Sequence, residues 1–250
     1  MSAAAHLVLS LLGGSALLLA AITLGTARQP SARIPDYAGF LRSWSALHGG
    51  FDAASSVWVH GWLRIAYAVS RPLAARGVQP DVLTGWGLLV SATVVPLAAP
   101  GTRWPLLAAV TVVLAGLVDS LDGTVAVLTG RVTRFGYVLD SVVDRLSDAA
   151  FLLALWHLGA PAGLCVAAGT ALGLLEYARA RAGNAGMGEI GLVTVGERGT
   201  RIPLVAATLG TAGLYSGQAA AVATLGAATM LGLSVIGLGQ FLAVARRRLR

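Results

Sequence analysis

From residue 81 to residue 244 the chain is a nearly continuous series of apolar runs, broken only by short polar or Gly/Pro-containing stretches. A bilayer core of ~30 Å is crossed by about 20 apolar residues in a helix. In lipid such a segment has to satisfy its own backbone, which a helix does. Division at the breaks gives six expected spans: Val82–Ala99, Pro105–Leu128, Gly136–Leu158, Pro161–Ala180, Ile202–Tyr215 and Ala219–Val244. A further apolar stretch, Leu7–Leu24, has no basic residue before it and no small-residue cleavage site after it, and so reads as an uncleaved anchor rather than a signal peptide. Of the 250 residues, 56% are hydrophobic and 12% charged, against ~25% charged in soluble domains. A soluble fold of this length exposes too much of itself to hide that much apolar surface, and the same composition excludes disorder. The 32 glycines suit close helix packing in lipid. Cys165 is the single cysteine, so no intramolecular disulfide framework exists, and His6, His48, His60 and His157 are too scattered for a zinc site. The fold class expected is an all-α polytopic membrane protein.

Residues 27–79 are mixed. Arg28, Arg33, Arg42, Arg64, Arg71 and Arg76 alternate with Trp44, Trp58, Trp62 and Tyr67, and Val57, Leu63, Ile65 and Val69 lie among them. This is the pattern of an amphipathic helix lying in the membrane interface. Three parts follow: an anchor at 1–26, a juxtamembrane amphipathic segment at 27–79, and a six-span membrane domain at 80–250. All 18 basic residues are arginine, a side chain suited to phosphate and anionic headgroups. Counting from the side that holds residues 27–79, sixteen of the 18 fall on that side; Arg103 lies opposite and Arg145 within a span. The positive-inside rule makes that side cytoplasmic and places the N-terminus outside. The net charge of +7 therefore reflects cytoplasmic loops, not a nucleic-acid partner.

Five of the eight aspartates, Asp119, Asp122, Asp140, Asp144 and Asp148, lie between residues 119 and 148, inside apolar helices where an ionised carboxylate is costly. One arginine, Arg145, cannot balance them; divalent cations can. Asp119 and Asp122 are i, i+3 on one helix, and Asp140 and Asp144 are i, i+4 on the next, so each pair shares a face. The two helices reverse near Arg131. Asp122 and Asp140 stand nearly equidistant from that turn, as do Asp119 and Asp144, which brings the four carboxylates level about ten residues, or ~15 Å of rise, in from the turn. Four oxygen ligands of this kind suit two hard cations, Mg²⁺ or Mn²⁺. Gly123 and Gly136, without side chains, leave the backbone open to a large polar ligand.

The stretch VDSLDGTVAVLTGRVTRFGYVLDSVVDRLSDAAF resembles the signature of the CDP-alcohol phosphotransferase family, D-x2-D-G-x2-A-R-x8-G-x3-D-x3-D. Its positions are Asp119, Asp122, Gly123, Ala126, Val127, Gly136, Asp140 and Asp144; seven of the eight match, with every spacing kept. The resemblance covers about residues 68–245. It implies six transmembrane helices, an interfacial helix before them, a cytoplasmic active site and a homodimer, with the anchor at 1–26 as an addition. The departure is Val127, where the pattern has an arginine that helps hold the donor's phosphates. Arg131, one turn on, is expected to reach back in its place, and with Gly123, Ala126 and Gly136 it makes up the expected donor site. The segment from Gly77 to Thr84 looks like the start of the first core helix in actinobacterial phosphatidylinositol phosphate synthases. The stretch from Tyr177 to Arg181, followed by Gly196 to Arg201, looks like the arginine-bearing part of members that take a phosphorylated acceptor, which makes Arg179, Arg198 and Arg201 the expected acceptor residues.

The resemblance implies a lipid donor of the CDP-diacylglycerol type, a small alcohol or alcohol-phosphate acceptor, CMP as leaving group, and a setting in the bacterial plasma membrane. Asp119, Asp122 and Asp140 are then metal ligands. Asp144 ligates a metal and also accepts the hydroxyl proton. Asp148 lies outside the signature and is expected to pair with Arg145 or another polar group. Two other classes of function stay open on the sequence: a cation-coupled transporter using intramembrane aspartates, which predicts inverted repeats not seen here, and a catalytically degenerate scaffold, suggested by Val127. An aspartate-rich prenyltransferase fits the spacing poorly.

Overall fold

The computed structural model describes residues 3–26, 34–47, 49–187 and 194–249; Arg28, Arg33, His48 and Arg250 lie outside them. Among the described residues the chain is all-helical, with no strand and nine α-helices: α1 (Ala3–Thr26), α2 (Tyr37–Leu47), α3 (Val57–Ala75), α4 (Pro80–Ala98), α5 (Trp104–Thr129), α6 (Arg134–His157), α7 (Ala162–Asn184), α8 (Arg198–Leu214) and α9 (Ala219–Arg248). A helix stands at each of the six expected spans and at the expected anchor. Three helical stretches are long and apolar enough to cross a membrane, Pro80–Ala98, Trp104–Thr129 and Ser216–Arg248. Charge and length separate the other three: α6 carries Asp140, Asp144, Arg145 and Asp148, α7 carries Glu176, Arg179 and Arg181, and α8 has 17 residues and begins with two arginines in four positions.

The chain divides into two compact units, one of residues 1–89 and 114–144, the other of 90–113 and 145–250. In the first, α1 lies along the start of α4. Trp86 Nε1 donates to Thr23 Oγ1 at 3.2 Å, and a Cβ at Gly85 would come within 3.0 Å of Leu19 Cδ2. The juxtamembrane segment is two helices, not one. Ser56 caps α3, its hydroxyl accepting from Val59 N at 3.4 Å, so one orphan donor of the first turn is satisfied. Phe40 of α2 and Leu63 and Ala74 of α3 are buried in one apolar cluster with Leu121, Val125 and Leu128 of α5. Trp62 Nε1 donates to Ser120 Oγ at 2.8 Å, a second tie from α3 to α5. On its other side α3 shows the interfacial pattern expected: Val57 and Trp58 are each 88% exposed, and Ile65 and Val69 are exposed with them.

In the second unit small residues set the helix spacing. A Cβ at Gly213 of α8 would lie 2.8 Å from the backbone nitrogen of Leu106, and one at Gly226 of α9 would collide with Thr208 of α8. Leu175 and Ala182 of α7 are buried with Phe241 and Ala245 of α9. This is the close packing that Gly and Ala make possible where no hydrophobic force draws helices together.

Candidate active site

The turn between α5 and α6 sets the geometry of the aspartates. Gly130 adopts φ +66°, a left-handed conformation that glycine takes without steric cost. Gly130 N donates to Val127 O at 3.4 Å and Arg131 N to Ala126 O at 2.9 Å, the paired bonds of a Schellman stop. α6 starts three residues later with Thr133 as its cap, Oγ1 accepting from Gly136 N at 2.9 Å. So short a reversal holds the helices in fixed register.

That register brings Asp119, Asp140 and Asp144 together. Each presents one carboxylate oxygen, and the three oxygens lie within 4.8 Å of one another in a partly buried setting. Three convergent hard-oxygen donors at this separation fit a divalent cation of the Mg²⁺ or Mn²⁺ kind. Asp122, the fourth residue of the expected set, is only 6% exposed and is held differently. Its Oδ2 accepts from Thr84 Oγ1 of α4 at 2.6 Å and its Oδ1 from Gly123 N at 2.6 Å. It remains an electrostatic neighbour of Asp140 and Asp144. Thr84 is a positioning residue that the spacing argument missed: nothing in α4's own sequence marks which of its hydroxyls faces α5.

The expected donor-site residues separate. At Gly123, which is exposed, a Cβ would meet nothing within 4 Å, so the protein's own packing does not demand glycine there. At Gly136 a Cβ would come within 3.0 Å of Thr133 Oγ1 and 3.3 Å of Asp81 Oδ1, so this glycine keeps the α6 cap and the neighbouring carboxylate in place. Ala126 is partly buried, its carbonyl spent on the Schellman bond. Val127 packs against the apolar cluster that holds Phe40 and Leu63. Arg131 stands two residues beyond the end of α5, so the reach expected from one more helical turn does not apply. Its Nη1 is nonetheless buried, with no hydrogen-bond partner among the described residues.

The expected acceptor arginines lie in the second unit, Arg179 and Arg201 tied to carboxylates. Arg201 is 3% exposed; its Nη1 stands 3.3 Å from Asp148 Oδ2 and 3.7 Å from Glu176 Oε1. Arg145 approaches the same two acids at 3.2 and 3.3 Å, so the expected Arg145–Asp148 pair is present. Arg179 bonds Glu176 at 3.4 Å, Thr194 Oγ1 at 2.7 Å and both oxygens of Glu197. Arg198 is partly buried at the start of α8. Burial pushes the Glu197 carboxyl up, but the hydrogen bonds from Arg179 and from the Thr194 backbone and hydroxyl outweigh it and hold the group below its ordinary range. Glu176 and Glu197 answer the arginines in a way the arginine pattern alone did not show. Three arginines (145, 179, 201) face three acids (148, 176, 197), which leaves the cluster balanced in charge.

Comparison with known proteins covers the same stretch. Residues 78–238 match the CDP-alcohol phosphatidyltransferase family. The archaetidylinositol phosphate synthase of Pyrococcus horikoshii is 34% identical over 139 residues, 55% of this chain and 72% of that protein. That of Aeropyrum pernix is 30% identical over 190 residues, 74% of this chain and 93% of that one. The crystal structure of Mycobacterium tuberculosis phosphatidylinositol phosphate synthase with CDP-DAG bound superposes with a TM-score of 0.59 at 28% identity, over 73% of this chain and 94% of that one. The same enzyme in complex with manganese and citrate gives a TM-score of 0.59, covering 72% and 88%. A family match over most of the chain, relatives covered along most of their length and the shared fold agree that this protein is an enzyme of the CDP-alcohol phosphatidyltransferase family.

Proposed function

We propose that this protein transfers a phosphatidyl group from a CDP-diacylglycerol-type lipid to the hydroxyl of a small alcohol phosphate, releasing CMP. The observation that carries this is the Asp119–Asp140–Asp144 cluster on the α5–α6 hairpin. The donor and the phosphorylated acceptor are suggested by the relatives, which are named as inositol phosphate lipid synthases or have CDP-DAG bound, and by the arginines around Glu176 and Glu197. Asp119, Asp140 and Asp144 would hold a divalent cation, with Asp122 completing the ligands for a second, and bound cations supply positive charge against the diphosphate and the leaving phosphate.

The remaining chemistry falls to the chain. The acceptor oxygen attacks the phosphorus that bears the diacylglycerol, its proton passes to the Asp144 carboxylate, and the bond from that phosphorus to CMP breaks. Thr84 orients Asp122, and Gly123 leaves its stretch of α5 clear for the donor. Arg179, Arg198 and Arg201 receive the acceptor phosphate, Arg179 and Arg201 as their carboxylate partners yield. The deciding experiment is purified protein with CDP-diacylglycerol, Mg²⁺ or Mn²⁺ and a panel of alcohols and alcohol phosphates, with lipid products read by mass. Metal-dependent CMP release with one alcohol phosphate preferred is the expected result. No CMP release from any mixture overturns the reading in favour of the degenerate scaffold, and preference for an unphosphorylated alcohol removes the acceptor assignment.

Gly123→Ala separates ligand from fold. Alanine gains up to ~1 kcal/mol over glycine in a helix interior and meets no protein atom here. We expect unchanged or higher thermal stability together with a raised KM for the CDP-linked donor. An unaffected KM would show that the donor does not approach this backbone.

Arg131 is proposed to supply the cation that residue 127 lacks, reaching the donor phosphates from the turn rather than from α5. A hydrogen bond to a charged group contributes ~1.5 kcal/mol or more, so Arg131→Ala should raise the donor KM about tenfold, with a smaller effect on the acceptor. Kinetics with both substrates varied checks this; an unchanged donor KM refutes it.

The same reading takes the chain as a homodimer in the plasma membrane, with six core spans and the α5–α6 turn cytoplasmic. The sixteen arginines on one side support that topology. In a Cys165→Ala background, single cysteines near Arg131 and Arg248 should be protected from an impermeant thiol reagent in intact cells, and one near Arg103 labelled. Labelling at the Arg131 turn would invert the topology.

A further inference from the structure

Before the family-matched residues, α2 and α3 form a cavity of about 1100 Å³. Its walls include Ile34, Leu41, Ala68 and Pro72, with the rings of Tyr37 and Tyr67 stacked edge to face at 5.2 Å between centroids. Neither phenol is left to donate to a ligand: Tyr37 Oη donates to His60 O at 3.3 Å and Tyr67 Oη to Pro35 O at 3.0 Å. The polar groups that remain are His60, Arg64 and Arg71. His60 Nδ1 is buried with no hydrogen-bond partner among the described residues. Arg64 and Arg71 are exposed, and neither enters an ion pair among the described residues. This contrasts with Arg179 of α7 and Arg201 of α8, each of which faces a carboxylate.

The cavity thus offers two uncompensated guanidiniums, seven residues apart on one face of α3, above a wall of aliphatic and aromatic carbon. Charge complementarity calls for an anion, and the wall calls for a hydrocarbon attached to it. A free phosphate would leave the wall unmatched. The location selects the source. The exposed stripe Trp58, Trp62, Ile65 and Val69 runs along another face of the same helix, and such a stripe seats a helix at the headgroup level of a bilayer, where basic side chains attract anionic lipid. We propose that the α2–α3 groove binds an anionic membrane phospholipid, its phosphate between Arg64 and Arg71 and an acyl chain along Ile34, Leu41 and Ala68. This site is distinct in sequence from the aspartate cluster and is formed by residues that precede the family domain.

The test uses the full chain in nanodiscs doped with phosphatidylglycerol or phosphatidylcholine carrying a diazirine on the acyl chain, with crosslinked peptides mapped by mass. The glycerol lipid should label peptides from 34–47 and 57–75. Because charge-assisted contacts dominate phosphate capture, Arg64→Gln with Arg71→Gln should cut that labelling about fivefold or more. Ala68→Trp, a change at an exposed position that keeps both charges, should cut it by obstruction. Arg247→Gln with Arg248→Gln, the same loss of charge elsewhere, should leave it intact. Elution of each variant as a single species checks the fold independently of turnover. Equal labelling by the choline lipid, or labelling insensitive to the Arg64/Arg71 change, overturns the site. Displacement of the label by CDP-diacylglycerol at concentrations that saturate turnover also overturns it, by making the groove part of the donor's path.

Discussion

Asparagine at Asp119, Asp140 or Asp144 is expected to lower phosphatidyl transfer by well over ~100-fold, since even changes one shell removed from a metal typically cost 10–100-fold. The carboxylate and the amide are nearly equal in size, so the variants should insert and elute like the parent, and the loss belongs to the charge. Asp122→Asn is expected to fail as well, because the amide brings no charge and its one oxygen replaces only one of the two that accept from Thr84 and from Gly123 N. Thr84→Val tests the support in isolation. It leaves all four aspartates and should lower turnover by ~10–100-fold, with Thr84→Ser restoring most of it because serine keeps the hydroxyl that donates to Asp122. Metal titration of turnover is the informative readout: Thr84→Val should raise the metal concentration needed, which a merely structural loss would not. Two or more of the asparagine variants with near-normal turnover would sink the metal site.

Replacement of Arg201 by alanine should be the most destabilising single change in the second unit. Arg201 and Asp148 are almost wholly buried, and Glu176 shares the same guanidinium. Removing one partner of a buried pair strands the other charge, at a cost of ~3–5 kcal/mol. Thermal unfolding in detergent should show a fall in Tm far larger than for Arg181→Ala, whose side chain is exposed one turn from the end of α7. Asp148→Asn should also lower Tm, while its effect on turnover per folded molecule stays small because it lies outside the aspartate cluster. A Tm unchanged in Arg201→Ala would mean that Arg145 balances Asp148 and Glu176 without it.

The helices were legible because apolar runs and Gly/Pro breaks report directly on membrane-length segments. The expected spans and the observed helices agree to within a few residues at most ends. The largest differences, about one helical turn each, are at the ends of α7 and α9 and at the start of α8, where Arg198 and Arg201 belong to the helix. The pairing of Asp119 with Asp144 followed from distance to the turn alone. What the sequence did not reveal were the partners brought in from other helices. The hydroxyl of Thr84 reaches Asp122 from 38 positions away, and no local pattern encodes such a contact. Arg179 and Arg201 stand out in the sequence as arginines, but their partners Glu176 and Glu197 do not, because that apposition depends on how α6, α7 and α8 pack. The juxtamembrane segment was read as one amphipathic region; its break into α2 and α3, and hence the groove, depends on the capped start at Ser56.

The four-residue reversal from Gly130 to Thr133 makes chain length itself a component of the active site. One residue inserted there would turn α6 by about 100° and advance it by ~1.5 Å, carrying Asp140 and Asp144 away from Asp119 while every side chain stayed chemically intact. The interval between the two aspartate pairs therefore works as a ruler. A homologous chain could exchange nearly every residue between Gly123 and Gly136 and keep the cluster, yet lose it through one codon gained or lost. That explains why a signature here takes the form of fixed gaps, with so few of the intervening identities specified.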